Sequence, residues 1–145
     1  MFRYLFFIVI IATSFPQTID ERLLLIETQK ILTYMDTFEQ ITIEGEDEYA
    51  VASNVANSIA RSINIVVNAY HLIHIYNLIE GENDKIKVGD YLRQQIPRTS
   101  GLLKIEMKLS TGFTSSSKSK QIKEITVLYV QSLASVMKLL NTFSR

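Results

Sequence analysis

The sequence predicts an all-α fold, an antiparallel helical bundle of four to five helices after an N-terminal signal peptide. Three observations predict it. Apolar residues recur at spacings of three and four over long stretches, only five glycines and two prolines interrupt the 145-residue chain, and 47% apolar composition supplies a core without any Cys to staple it.

The first fifteen residues differ from the rest. Arg3 gives one positive charge, and Tyr4 to Ala12 is an unbroken apolar run. That run is shorter than the roughly 20 residues needed to span a bilayer, and Ala12-Thr13-Ser14 offers a small-residue cleavage site. Pro16 breaks any helical continuation. Residues 1–14 are therefore expected to be a signal peptide, leaving 15–145 as a single helical domain beginning at Phe15 and exported to a periplasmic or extracellular space. The chain has no Cys, and none of its seven Asn residues stands in an Asn-x-Ser/Thr acceptor sequence. Together these favour a bacterial periplasmic or secreted protein.

Thr18-Ile19-Asp20-Glu21 has the capping-box pattern, so a first helix should begin there and end before Gly45. Its apolar stripe is Leu24, Ile31, Met35 and Phe38, widened by Leu23, Ile26 and Leu32. The acidic run Glu44 to Glu48 serves as connector and as the start of the next helix. From Tyr49 to Ile79 the only formal charge is Arg61, with neither Gly nor Pro, which predicts a long central helix. Ala52, Ala56, Ile59, Ile63, Val66, Tyr70 and Ile73 form its core face, thickened by Val55, Ala60 and Val67.

The opposite side of this helix carries Asn54, Asn57, Arg61, Asn64, Asn68 and His71, a polar stripe made mostly of uncharged amides. Two readings apply to it. It is the solvent face of an amphipathic helix, or it hydrogen-bonds a neighbouring helix or partner without the cost of desolvating charge. So many amides exclude a transmembrane helix.

Gly81-Glu82-Asn83-Asp84 reads as a turn, followed by a short helix around Asp90 to Gln95, a break or kink near Pro97, and another helix from Ser100 to about Leu109. Residues 110–118, rich in Ser and Thr, read as a flexible connector. A last helix from about Ser119 to Asn141 rests on Ile122, Ile125, Tyr129, Leu133, Val136 and Leu140.

The residues that carry catalysis are scarce. The two histidines, His71 and His74, sit three apart on one helix with no nearby carboxylate to complete a zinc set, so no metal and no cofactor is expected. No Ser lies in a Gly-x-Ser-x-Gly elbow, there is no Gly-rich phosphate loop, and Glu44 to Glu48 reads as a solvated helix start. The expectation is a protein that is not an enzyme.

Charge is the unusual feature. Residues 17–84 hold 12 acidic and 3 basic side chains, whereas 85–145 hold 3 acidic and 11 basic ones. Most of this is expected to be compensated by the two halves folding against each other. Lys104, Lys108, Lys118, Lys120 and Lys123 are the candidate partner-binding residues, with the cluster from Lys118 to Lys123 favoured. The function this supports is a non-enzymatic exported helical protein that binds another macromolecule: an accessory subunit, inhibitor or immunity-type module. Its partner would be a protein or a second copy. An anionic membrane surface is allowed by the charge, and nucleic acid is not expected because no aromatics interleave with the lysines. The alternative is a carrier of a small apolar ligand in an inter-helix pocket.

Overall fold

The computed structural model describes residues 19–143. The predicted signal peptide, the start at Phe15 and the cap at Thr18 lie outside them. Among the described residues four helices follow in order: α1 (Ile19–Glu39), α2 (Glu46–Leu78), α3 (Glu82–Thr114) and α4 (Lys120–Phe143). Each packs against its neighbours in sequence, and α4 closes the bundle by packing on α1. The result is an antiparallel, all-α four-helix bundle. No described helix is long and apolar enough to cross a membrane.

The core follows the predicted periodicity closely. Leu24, Ile31 and Phe38 of α1 are buried, as are Ala52, Val55, Ile59, Ile63, Val66, Tyr70 and Ile73 of α2 and all six predicted positions of α4. The widening of the α1 stripe is narrower than expected, since Leu23 and Ile26 are exposed. α2 starts on Gly45, whose φ of 93° lies in the region that favours glycine, and Glu46, Asp47 and Glu48 place negative charge at its positive dipole end.

α1 is too short to cover all of α2. Glu21 lies beside His74 and Asn77, so antiparallel packing brings the end of α1 level with about the middle of α2. Residues 40–45 then run without helix toward the start of α2, and half-buried Ile41 and Ile43 cover the core there.

Two expectations about the C-terminal half are corrected. The short helix, break and second helix around Pro97 are one continuous 33-residue helix, α3, with Pro97 inside it. A proline within a helix costs about 3 kcal/mol. Here Leu92, Ile96, Leu103, Ser110 and Thr114 keep one buried face on both sides of it, and Pro97 itself is exposed, so the carbonyl it leaves without a donor falls on the solvent side. Burial of that face outweighs the local penalty.

The connector is also shorter than 110–118 and is not loose. Residues 110–114 complete α3, with Thr111 and Thr114 hydroxyls donating to the carbonyls of Met107 and Ser110. Only 115–119 lie between helices. Glu48 ties them down, accepting from the Ser117 hydroxyl at 2.6 Å and the Lys118 backbone N–H at 2.5 Å. These bonds, the Lys118 N–H first, hold its carboxyl below the usual range. Ser119 accepts from the Ile122 N–H at 3.3 Å and so caps α4.

Candidate functional site

A polar network sits between α2, α3 and α4, and it begins from a residue that periodicity places on the wrong face. Glu106 lies three residues after Leu103 and four before Ser110, on the buried side of α3, and is itself buried. An ionised carboxylate there requires compensation. α2 supplies it: Arg61 donates to Glu106 through Nε at 2.8 Å and through a terminal guanidinium nitrogen at 2.9 Å, and Ser58 Oγ donates at 2.5 Å. Burial alone would raise the Glu106 carboxyl. The bonds from Arg61 and Ser58, with the guanidinium charge, outweigh it and hold the group below the ordinary range.

The network continues without an open end. Ser110 Oγ donates to Ser58 Oγ at 2.9 Å. Tyr129, fully buried on α4, donates to the Ser58 carbonyl at 3.1 Å, which makes Ser62, 2.6 Å from the phenol oxygen, its donor. Burial pushes the Tyr129 phenol upward, so it stays protonated. A carboxylate held low by an arginine is a poor general base, and each hydroxyl already has a partner. What the arrangement does is fix the register of three helices, because a shift along any one leaves buried polar groups unsatisfied.

A second polar contact joins α1 to α2. The Asn77 amide donates to the buried Glu21 carboxylate, His74 Nδ1 lies 3.7 Å from it, and the His74 ring stacks on Tyr70 with centroids 5.9 Å apart. His71 is half-buried and held below its usual pKa by that burial and by His74. Among the described residues, no three of His, Asp and Glu gather in a metal-holding group.

The polar stripe on α2 is the solvent face: Asn54, Asn57, Asn64 and Asn68 are exposed, with His71 half-buried at its end. Arg61 is the one member engaged inward. The amides thus do not bond a neighbouring helix, and the reason is the position of the core, which lies directly opposite on Ile59, Ile63 and Val66.

The five candidate lysines are all exposed. Lys104 and Lys108 lie on the outward side of α3, and Lys118, Lys120 and Lys123 lie where the connector enters α4. The two oppositely charged halves do pack against each other, α2 on α3 and α1 on α4, but direct ion pairs of the expected sign do not join them. Among the described residues, no Lys or Arg of α3 or α4 reaches a carboxylate of α1 or α2 across the bundle. Lys87–Asp84, Arg93–Asp90 and Lys120–Glu124 are neighbours three or four positions apart, and Arg61–Glu106 joins the halves with the signs reversed. Lys118, favoured from sequence, borders a cleft of about 540 Å³ also lined by Glu44, Glu46, Asp47 and Glu48. It is the lysine nearest the acidic run, whereas Lys104, Lys108 and Lys123 have no ion-pair partner among the described residues.

Sequence reasoning missed the Glu106 network. One signal was present: Glu106 is the only acidic residue between Asp90 and Glu124, in line with Leu103 and Ser110. Compared with family models, with curated proteins and with solved structures, the chain has no match.

Proposed function

We propose that this protein is a non-enzymatic, exported helical module that binds another macromolecule, with Lys104, Lys108, Lys120 and Lys123 meeting an acidic surface on the partner. The observation that carries this reading is the exposed basic surface of α3 and α4, whose charges are not met by the acidic half across the bundle. Unmatched charge on a folded surface steers association and is felt mainly in the on-rate. A rigid scaffold with a register-fixing core suits presentation of such a surface.

Two experiments test it. Capture from the source cell with the purified protein identifies the partner, and the Lys104→Glu, Lys108→Glu, Lys123→Glu triple variant is then compared by surface plasmon resonance at low and high salt. The variant is expected to associate at least 10-fold more slowly and to lose the salt dependence. Its urea midpoint should stay within about 0.5 kcal/mol of the parent, because no cross-bundle ion pair is lost. Unchanged association overturns the assignment of the partner surface, and a large fall in the midpoint returns the charge to an internal role. For export, N-terminal sequencing of the protein from its source is expected to begin near Phe15, and recovery of Met1 on a cytosolic protein would overturn that part.

A further inference from the structure

α1 ends while the first turns of α2 are still uncovered, and the chain has to be nearly straight to cross the gap. With Glu21 beside His74 and Asn77, antiparallel packing leaves Glu39 about 15 Å along the bundle and about 9 Å across from the start of α2. The seven steps from Glu39 to Glu46 therefore cover about 17 Å, against about 23 Å when fully extended. Gln40 and Ile41 still bond back to Thr37 and Phe38, so the reach falls to the residues after them. These residues suit it. Ile41-Thr42-Ile43-Glu44 alternates half-buried with exposed side chains and is rich in β-branched residues, the pattern of a strand with one face on a core.

This strand has no sheet. Among the described residues, the N–H groups of Thr42, Ile43 and Glu44 and the carbonyls of Ile41 through Glu44 have no hydrogen-bond partner. Two clefts line up along it on the side of α4. One, of about 450 Å³, lies between Gln40, Ile41 and Thr42 and the Gln121, Glu124 and Ile125 of α4. The other, of about 540 Å³, lies between residues 44–48 and Ser116 and Lys118. Thr42 and Glu44, one at each cleft, stand two residues or about 6.6 Å apart, the spacing of successive side chains on one face of a strand. The second cleft is acidic: exposed Glu44, Glu46 and Asp47 line it against Lys118.

We propose that this groove binds an extended peptide segment of another protein, which adds to residues 41–44 as a second strand and carries a Lys or Arg two positions from an uncharged aliphatic residue. An unpaired strand edge templates pairing with an incoming chain; main-chain bonds give the affinity and alternate side chains entering pockets give the specificity. The aliphatic side chain enters the first cleft, beside Ile41 and Ile125, and the cation enters the second, beside Glu44, Glu46 and Asp47. Charge selects against other occupants. A second copy would bring its own Glu44, Glu46 and Asp47 to the same place, and an anionic membrane would meet the same carboxylates. The groove lies on the α1–α4 flank, and this inference stands apart from the reading of Lys104 and Lys108 on α3.

Phage display of random nonamers on the purified full chain, followed by fluorescence anisotropy with a selected peptide, tests it. Selected sequences are expected to share a Lys or Arg two positions from Val, Ile or Leu. Backbone N-methylation of the peptide should weaken binding at least 10-fold at alternate positions and little at those between, the period that strand pairing imposes. The Glu44→Lys, Asp47→Lys double variant, changed only at exposed side chains, should weaken binding at least 10-fold, whereas Lys104→Glu with Lys108→Glu should leave it unchanged. Far-UV circular dichroism confirms that the variants fold. Failure to enrich any peptide overturns the inference, as do N-methyl effects without alternation and binding that survives Glu44→Lys, Asp47→Lys. Self-association of the chain that blocks the peptide would give the groove to a second copy and overturn it as well.

Discussion

Val66→Asp is expected to lower the stability of the bundle by about 4 kcal/mol or more, and Ile63→Asp should follow it. Val66 is fully buried and Ile63 nearly so, both facing the centre of α2. A carboxylate placed there loses its hydration and gains no cation, since Arg61 is already bound to Glu106. Lys118→Ser and Lys120→Ser should change little. Lys118 contributes its backbone N–H to Glu48, which Ser retains, and the Lys120–Glu124 pair is largely exposed. Urea denaturation followed by circular dichroism separates the two groups, and equal midpoints would contradict the helix phase.

The second large effect is expected at the Glu106 network. Arg61→Met should cost about 2–3 kcal/mol at pH 7, less than for a fully enclosed pair because half of the Arg61 side chain is exposed. The pH dependence gives the sign. In the parent protein the Glu106 carboxyl is held low, so its contribution is present above the unfolded value of about 4.3 and is lost as pH falls through the folded one. Without Arg61, burial dominates and raises the group instead. The variant should then gain stability between pH 7 and pH 5, the reverse of the parent's acid response. Adding Glu106→Gln should recover part of the loss at pH 7 by removing the uncompensated charge. Midpoints that fall together with acid in both proteins would show that Glu106 is not the buried group responsible.

Much of the bundle was legible because helix phase is written in residue spacing. The run from Ala52 to Ile73 and that from Ile122 to Leu140 each put one apolar residue toward the axis every three or four positions, and burial follows those positions. Pro97 misled because local rules weigh a missing N–H and say nothing of the buried face that continues past it. The serine stretch misled in the same way: its hydroxyls look like linker, yet they bond to carbonyls one turn back and to Glu48, sixty-nine residues away from Ser117.

The candidate surfaces divide along the same line. The amide stripe of α2 and the segregation of acidic from basic residues are properties of the sequence, as are the helices and their core faces, because each depends on composition or on spacing within one segment. Whether the opposite charges meet is decided by the bundle. Packing order sends the lysines of α3 and α4 outward and, among the described residues, leaves Lys104, Lys108 and Lys123 without a carboxylate. The Arg61–Glu106–Ser58–Tyr129 network is likewise tertiary, since its members stand up to seventy-one residues apart and only the register of three helices brings their atoms within hydrogen-bond reach.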